Sequence, residues 1–259
     1  MRPTRDRVEA FFSFSLFGIG RKRTLEMCRV LGERRFTFGL ESRVDILTPD
    51  LIAHLHQAGM EIICWGIESA SPATLMRMNK VRSASEAKSY LSDTRAVLKA
   101  CFENDVVLVM NFMLGFPGDT VADLEATLEF VKEVGQIHDQ VAAQTGFTTG
   151  FAPFAQRTAI YEGSLLAERV AKDFPGTVIG PTSYDGEISI NLPSPGLDLD
   201  TIRHYEDEIN SLGDYTSKPE LFDLYSTFSP KDFAAAHPEL TDEAGITVLC
   251  GDLQQFPPY

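Results

Sequence analysis

Cysteine is scarce in this sequence, and the four cysteines lie far apart, at Cys28, Cys64, Cys101 and Cys250. Because none lies within a few residues of another, the chain has neither the spacing of a structural zinc site nor that of a small disulfide-stabilised domain. Isolated thiols of this kind are typical of a reducing compartment, where they serve as small buried side chains. We therefore expect a cytoplasmic protein whose own cysteines hold no metal.

Positive charge and long apolar runs are scarce as well. The chain carries 23 Lys and Arg against 37 Asp and Glu, which gives a net charge of -14. Binding to a phosphate backbone needs clustered Lys and Arg, so we expect no nucleic-acid partner. No apolar run approaches the roughly 20 residues that cross a bilayer, and the opening MRPTRDRVEAFF lacks the apolar core of a signal peptide. We therefore expect no membrane partner.

The sequence does contain a regular alternation of strand-like and helix-like segments. The strand-like segments are 8–17, 36–40, 62–65, 106–113 and 141–153. The helix-like segments are 22–31, which we expect to end at Gly32, then 48–59, 83–103 and 119–133. Because parallel strands are joined by helical crossovers, this alternation predicts an α/β fold with a parallel sheet or barrel.

The composition changes in the last third of the chain. Beyond about residue 172, Pro, Gly and Asp mark a series of turns, and one amphipathic helix is predicted at 198–212. We therefore predict two parts, a barrel over 1–165 and an irregular C-terminal extension over 166–259.

The segment EIICWGIESAS, at 61–71, carries the most informative polar residues. Its apolar strand stops at a glycine and then presents Glu68, Ser69 and Ser71. In a parallel sheet, ligands bind at the carboxyl ends of the strands, so these side chains are placed for chemistry. The alternative is that a serine caps the next helix and Glu68 favours its positive end. A second buried strand ends in the turn LGFPGDT, so we expect both strand ends at one rim.

Arg43 follows another strand of the predicted sheet, within the run Glu41-Ser42-Arg43-Val44-Asp45. A guanidinium at a strand end forms strong paired hydrogen bonds with a carboxylate. Arg43 either pairs with a carboxylate across the rim or binds one from a ligand, and the sequence leaves both roles open.

Taken in order, several of these segments resemble the radical S-adenosylmethionine superfamily. They are Arg43 with Asp45, Ala58-Gly59, WGIESAS, Met78-Asn79-Lys80 and NFMLGFPGD, within residues 10 to 165. The branch that they resemble most often carries a cobalamin-binding domain ahead of the radical domain. The resemblance implies a partial TIM-like (β/α)6 barrel that lacks its first strand.

The resemblance also implies a binding site for S-adenosylmethionine at the barrel mouth. Glu68 and Ser69 would face the ribose or the methionine moiety, and the turn from Gly115 to Asp119 would pass under the adenine, where glycine allows close backbone approach. The implied cofactor-binding residues are Arg43, Glu68, Ser69, Asn111, Gly115, Pro117, Gly118 and Asp119. The implied reaction is reductive cleavage of the sulfonium to a radical, with methyl transfer to a small-molecule substrate common in the cobalamin-linked branch.

The chain departs from the family in one decisive feature. Family members hold a [4Fe-4S] cluster on a CxxxCxxC loop, and this sequence has none. The [4Fe-4S] cluster and cobalamin are therefore implied only if an upstream segment supplies their sites. Two smaller departures are Phe14 and Ser15 where acidic residues are usual, and Gln156 and Arg157 in place of a Pro-Gly turn.

Three interpretations follow. The chain is the carboxyl-terminal part of a radical enzyme and inactive alone, or a non-catalytic barrel that acts as a binding or partner module, or an unrelated barrel lyase or isomerase that uses Glu68 as a general base. The third needs a second acid, base or lysine at the rim. With the first strand missing, the edge near 8–17 would need an upstream domain or a partner chain to cover it.

Overall fold

The computed structural model describes residues 10–13, 17, 20–34, 37–147, 149–161, 163–175 and 197–214. The strands are β1 (Ala10–Phe12), β2 (Phe38–Ser42), β3 (Met60–Glu68), β4 (Val107–Leu114) and β5 (Phe151–Arg157). The helices are α1 (Arg21–Arg34), α2 (Pro49–Ala58), α3 (Pro72–Arg77), α4 (Ala84–Glu103), α5 (Val121–Thr145), α6 (Leu165–Asp173) and α7 (Leu199–Asn210), with a 3₁₀ turn at Val44–Ile46.

The described strands form one sheet whose order follows the chain, β1-β2-β3-β4-β5. All four neighbouring pairs are parallel. The predicted α/β fold with a parallel sheet is therefore confirmed. Because β1 lies at the edge of the described sheet, the predicted open edge also falls in this strand.

The two faces of the sheet carry different side chains. Along β3, Ile63 and Trp65 lie in the main hydrophobic core with the helices, whereas Ile62 and Cys64 point to the other side. This alternation follows from the two-residue repeat of a strand. We call the second side the inner face. Its apolar cluster consists of Phe11, Ile62, Cys64, Val107, Val109 and Ala152.

Helix packing explains why one predicted helix end was wrong. Gly32 lies inside α1, which continues to Arg34. A Cβ at Gly32 would lie 3.7 Å from the Cα of Ala58, so this glycine sits where α1 crosses α2 closely. The close approach of two helices, rather than a helix end, accounts for its position.

The helix α5 is also longer than predicted. It does not end near Glu133 but runs to Thr145, so residues 141–145 were wrongly predicted as strand. Buried Val134, His138 and Val141 continue the apolar stripe at helical spacing, and Gly146 ends the helix with φ +74°. The following strand, β5, begins only at Phe151.

Part of the C-terminal extension packs on the sheet. The amphipathic helix predicted at 198–212 is observed as α7, and its buried Ile202, Tyr205 and Ile209 join the main core. The side-chain amide of Asn210 hydrogen-bonds the N–H and C=O of Ala155 on β5, at 2.7 and 3.0 Å. The predicted boundary near residue 165 stays a prediction, and Phe14, Ser15, Cys250 and residues 215–259 lie outside the described residues.

Within the described part of the chain, no helix has both the length and the apolar character needed to span a bilayer.

The close packing at two glycines leads to opposite predictions for stability. We expect Gly32→Ala to stabilise the protein by about 0.5–1 kcal/mol, because a helical glycine gains a favourable Cβ that meets only ordinary contact at 3.7 Å. Gly39→Ala should instead cost about 1–3 kcal/mol, since its Cβ would lie 2.5 Å from the Phe11 ring and 2.7 Å from Ile62. Urea denaturation midpoints measure both effects, and equal midpoints for the two variants would contradict the packing of the inner face.

Candidate functional site

The carboxyl ends of β3 and β4 lie side by side, as the sequence predicts. Gly66 pairs with Asn111, but Glu68 pairs with the next residue, Phe112. The register therefore slips by one, and Ile67 is an extra residue on β3. Bulges of this kind bend a strand and re-aim the side chain that follows.

Glu68 is the side chain that this bulge re-aims. It has φ +74°, a conformation that residues other than glycine seldom adopt. A Cβ at Gly66 would lie 2.1 Å from Oε1 of Glu68, so the carboxylate fills the space that the glycine leaves. By the alternation of the strand, Gly66 shares the inner face with Cys64. The carboxylate of Glu68 therefore lies over the inner face, beside the strand that carries Asn111.

Lys80 holds this carboxylate. Its Nζ lies 3.3 Å from Oε1 of Glu68 and donates a hydrogen bond of 2.7 Å to the carbonyl of Gly66. Only 12% of the Lys80 side chain is exposed. Because both partners are partly shielded from water, their attraction is screened less than that of a surface pair.

The position of Lys80 follows from how α3 ends. Asn79 has φ +56°, and its N–H bonds the carbonyl of Met76, while the N–H of Lys80 bonds the carbonyl of Leu75. These two bonds define a Schellman ending, in which a left-handed residue reverses the chain after a helix. Asparagine tolerates this conformation better than most residues. The segment Met78-Asn79-Lys80 thus turns Lys80 back toward the end of β3.

Tyr90 contacts the same bulge from the helix side of the sheet. Its phenol donates a hydrogen bond of 3.2 Å to the carbonyl of Ile67. Burial raises the pKa of Tyr90, and the negative charges of Glu68 and Asp45 raise it further. The phenol therefore keeps its proton and remains a hydrogen-bond donor.

Arg43 pairs locally rather than across the rim. It makes two hydrogen bonds with Asp45, of 2.9 and 2.7 Å. The hydrogen bond with Asp45 raises the pKa of Arg43. Burial alone would raise the pKa of Asp45, but the hydrogen bond and charge of Arg43 outweigh burial and lower it. The partner of Arg43 in the structure is thus Asp45. A contact between Arg43 and a ligand stays a prediction.

A buried polar network joins the ends of β3 and β4 to α3 and α5. We call it the Arg77 network; its members are Ser69, Ser71, Thr74, Arg77, Asp119, Asp123 and Thr127. At its centre, Asp119 accepts hydrogen bonds from Thr74 at 2.6 Å, from Arg77 at 2.7 Å and from the N–H of Phe116 at 2.9 Å. Burial raises the pKa of Asp119, whereas the bonds from Thr74 and Arg77 oppose that rise.

Arg77 also binds the first turn of α5. It donates a hydrogen bond of 3.0 Å to Asp123, which accepts a further bond from the hydroxyl of Ser71. Burial would raise the pKa of Asp123, but hydrogen bonds from Ser71 and Thr120 outweigh burial and lower it. One guanidinium therefore pairs with two carboxylates, one from the turn after β4 and one from α5.

The two serines after β3 belong to this network. Ser71 is the N-cap of α3 and accepts a hydrogen bond from the N–H of Thr74 at 3.2 Å, as the capping alternative expects. Ser69 is buried, lies 3.3 Å from the hydroxyl of Thr127 and accepts a bond from the N–H of Ser71. The observed contacts of Ser69 and of Asp119 point into the protein, so a ligand role for either one stays a prediction.

The turn after β4 rests on Arg77. Gly115 and Gly118 both have positive φ, +69° and +91°, and Pro117 lies between them. A Cβ at Gly118 would lie 3.2 Å from Cδ of Arg77, so a side chain there would press on the guanidinium arm. This contact and the hydrogen bonds of Asp119 fix the position of the turn relative to the end of β4.

The described residues do not fit a [4Fe-4S] cluster. Among them, no group of three or more His, Cys, Asp or Glu side chains is arranged to hold a metal. Cys28, Cys64 and Cys101 are free, buried and placed on α1, β3 and α4. Burial raises the pKa of all three thiols, which disfavours the thiolate that a cluster needs.

Two residues of the site, Lys80 and Tyr90, were not predicted from the sequence. Lys80 stands in the sequence only as part of the motif Met78-Asn79-Lys80, although the third interpretation requires a second acid, base or lysine at the rim, and Tyr90 belongs to no motif. The signal for Lys80 was the Asn-Lys pair directly after a short helix, since Asn favours a left-handed ending. No local signal identifies Tyr90, because its partner, Ile67, is 23 positions away.

Comparison with known proteins gives relatives for part of the chain. No family model matches. The tRNA-2-methylthio-N(6)-dimethylallyladenosine synthase of Chromobacterium violaceum is 34% identical over 85 residues, which are 33% of this chain and 16% of that protein. The same synthase of Polynucleobacter necessarius is 34% identical over 93 residues, 35% of this chain and 18% of that protein. The chain thus spans less than a fifth of the length of these curated relatives.

A solved structure shares the fold. It is the radical S-adenosylmethionine methyltransferase TsrM from Kitasatospora setae with tryptophan substrate and a SAM analog bound, at a TM-score of 0.52 and 13% identity over 77% of this chain and 42% of that chain. This likeness shows the fold alone. The ordered motifs and the curated relatives agree with the resemblance to the radical S-adenosylmethionine superfamily.

The Arg77 network predicts that replacing Arg77 costs much more stability than replacing Arg95. Arg77→Met should destabilise the protein by about 3 kcal/mol, because it leaves the buried carboxylate of Asp119 without its cation. Arg95→Met is the matched control, since Arg95 and Glu133 form a bidentate but partly exposed pair, and we expect a cost below about 1 kcal/mol. Denaturant unfolding measures both, and equal losses would contradict a central role for Arg77.

Proposed function

We propose that this chain is the substrate-facing sheet of a radical S-adenosylmethionine enzyme and that the inner face at the ends of β3 and β4 binds S-adenosylmethionine. The observation that carries this proposal is the carboxylate of Glu68, which lies over Gly66 beside the strand of Asn111. Folds of this class bind their ligands at the carboxyl ends of the parallel strands. The carboxylate of Glu68 is held at such a strand end.

Glu68 would recognise the ribose. An ionised carboxylate has two oxygens and accepts several hydrogen bonds, so it can bind two neighbouring hydroxyls at once. Lys80 contacts Oε1 and holds the side chain in place, which lowers the cost of ordering Glu68 when the ligand arrives. Asn111 follows on the next strand with an amide that both donates and accepts.

The turn after β4 would receive the adenine. Gly115 would offer backbone without a side chain, and Asp119 holds the turn through the N–H of Phe116. The position of this turn is therefore set by the Arg77 network before any ligand binds. A site organised in advance in this way binds more tightly than one that must be ordered on binding.

A [4Fe-4S] cluster would supply the one electron that cleaves S-adenosylmethionine into methionine and a 5'-deoxyadenosyl radical. The described residues do not fit that cluster, so we propose that a segment outside this sequence, or a separate chain, carries the CxxxCxxC loop. The residues of this chain bind and orient the adenosine part. We expect the chain to be inactive alone.

Within the superfamily we favour the cobalamin-linked branch and a small-molecule substrate. The ordered motifs resemble that branch. The curated relatives are named for a tRNA modification, but the net charge of -14 disfavours a grip on a phosphate backbone. Radical modification or methyl transfer on a small molecule therefore suits this chain better, with cobalamin supplied by another domain.

The two other interpretations make different demands on the site. A non-catalytic binding barrel would share the adenosine site and lack only the cluster. A lyase or isomerase would need a second group near Glu68, and Lys80 is near enough, but its ammonium is engaged by Glu68 and by the carbonyl of Gly66. That engagement is why we favour a binding role for Glu68 over a role as general base.

The adenosine site predicts the effect of removing Glu68. Glu68→Ala should weaken binding of S-adenosylmethionine at least about tenfold, because hydrogen bonds to a charged group are lost. The fold should be retained, since the side chain is at the rim. Isothermal titration calorimetry measures the affinity. Glu103→Ala, at an exposed carboxylate on α4, is the control and should bind as the wild type does. Unchanged affinity in Glu68→Ala would contradict the assignment of Glu68 to the ribose.

Because the described residues do not fit a [4Fe-4S] cluster, we predict that cluster binding requires an added segment with the CxxxCxxC loop. The reading frame upstream of Met1 should be translated, and any segment with CxxxCxxC joined to the chain. We expect iron-sulfur reconstitution to give the absorbance and electron paramagnetic resonance signals of a [4Fe-4S] cluster in the joined protein and not in this chain. An in-frame stop codon with a ribosome-binding site upstream, and no separate chain that supplies the cluster, would favour the non-catalytic barrel instead.

A further inference from the structure

We propose that Tyr90 is a positioning residue for Glu68. Its phenol, bonded to the carbonyl of Ile67, fixes the bulge that turns the carboxylate of Glu68 onto the inner face. The identity of the ligand rests on the proposed function, whereas the link from Tyr90 to Glu68 rests on geometry alone.

The bulge is a conformation that needs outside support. An extra residue interrupts the ladder between β3 and β4 at Ile67, and Glu68 adopts a positive φ that is unfavourable for a side-chain-bearing residue. Such a conformation persists only where the surroundings over-determine it. Two side chains contact the backbone here: Lys80 bonds the carbonyl of Gly66, and Tyr90 bonds the carbonyl of Ile67.

Tyr90 is well placed to give this support. It lies in the first half of α4, whose start is fixed by the N-cap Ser83. Only 7% of Tyr90 is exposed, and it belongs to the same main core as Ile67. A long helix packed against the sheet moves little, so the position of the phenol is set by packing and not by the ligand.

The two sides of the sheet separate the roles of Tyr90 and Glu68. Ile67 is fully buried on the helix side, with Tyr90, whereas the carboxylate of Glu68 lies over the inner face. A ligand on the inner face therefore does not touch Tyr90. The hydrogen bond to the carbonyl of Ile67 links Tyr90 to Glu68 through one peptide bond.

Tyr90 also gives a cleaner test than Lys80. Lys80 contacts the carboxylate of Glu68 directly, so replacing it removes a charge from the site. Tyr90→Phe removes one hydroxyl and keeps the ring, the charge and the packing. Tyr205→Phe is a matched control, because Tyr205 is also buried and donates its hydroxyl at 2.7 Å, to Glu125 on α5.

The first experiment compares two probes by calorimetry, S-adenosylhomocysteine and its 2'-deoxyribose analogue. In Tyr90→Phe we expect the affinity for S-adenosylhomocysteine to fall about three- to tenfold, as for one lost hydrogen bond, with little change for the deoxy analogue. Tyr205→Phe should bind both probes as the wild type does. Equal losses for both probes in Tyr90→Phe would indicate a general structural defect and overturn the proposal.

A double variant tests whether Tyr90 acts through Glu68. If it does, Tyr90→Phe should weaken binding in the wild type but have no further effect in Glu68→Ala, because effects that share one pathway do not add. Additive losses would mean that Tyr90 acts on the ligand by another route and would overturn the proposal.

A readout without ligand separates this proposal from the proposed function. Hydrogen exchange followed by mass spectrometry should show faster exchange at residues 66–69 in Tyr90→Phe than in the wild type or Tyr205→Phe. If the wild type binds neither probe, the proposed function fails, and exchange alone decides the role of Tyr90. Unchanged exchange at residues 66–69 overturns the positioning role in either case.

Discussion

The ion pair between Arg77 and Asp119 is the contact on which the rest of the site depends. Asp119 is buried at the turn after β4, and an unpaired carboxylate there would be very costly. Arg77 neutralises it from the last turn of α3 and also binds Asp123 at the start of α5. Because one guanidinium contacts both, the turn, α3 and α5 cannot shift independently. The turn after β4 is thereby held against the helix that follows β3.

The same pair explains why two separate sequence motifs form one structure. Arg77 is the last residue of α3, so anchoring it also anchors the helix ending that follows. The left-handed Asn79 then directs Lys80 to the carbonyl of Gly66 and the carboxylate of Glu68. In this way the turn GFPGD, through Arg77, influences the bulge at the end of WGIES. Neither motif accounts for the geometry of the site by itself.

Local signals explain the parts of the fold that the sequence predicts well. Alternation of apolar strands and amphipathic helices predicts a parallel sheet, and Ser83 and Thr120 mark helix starts that the structure has. Glycine predicted helix ends less well than these residues predicted helix starts. Gly32 lies within α1 because two helices approach closely there, whereas Gly146 does end α5, later than predicted. Sequence alone does not distinguish a glycine at a helix crossing from one at a helix end.

The side chains of the site were harder to predict, because their roles depend on partners far along the chain. Glu68 lies at the strand end as predicted, but its orientation depends on Gly66, Lys80 and a bulge that no local pattern signals. Ser69 resembles a ligand-facing hydroxyl in the sequence, yet its partner is Thr127, 58 positions away. A hydroxyl after a strand serves a ligand or the fold equally well, and only the tertiary structure decides.

Two ion pairs lie at the ends of β2 and β3, Arg43 with Asp45 and Lys80 with Glu68. In a chain with a net charge of -14, this pairing keeps local repulsion among carboxylates low where the strand ends meet. A ligand that brings hydroxyls needs only to share Glu68 with Lys80. A ligand that brings a carboxylate would instead have to compete with Asp45 or Glu68 for a cation. The pairing therefore favours recognition of the hydroxyl-bearing part of a ligand at this position.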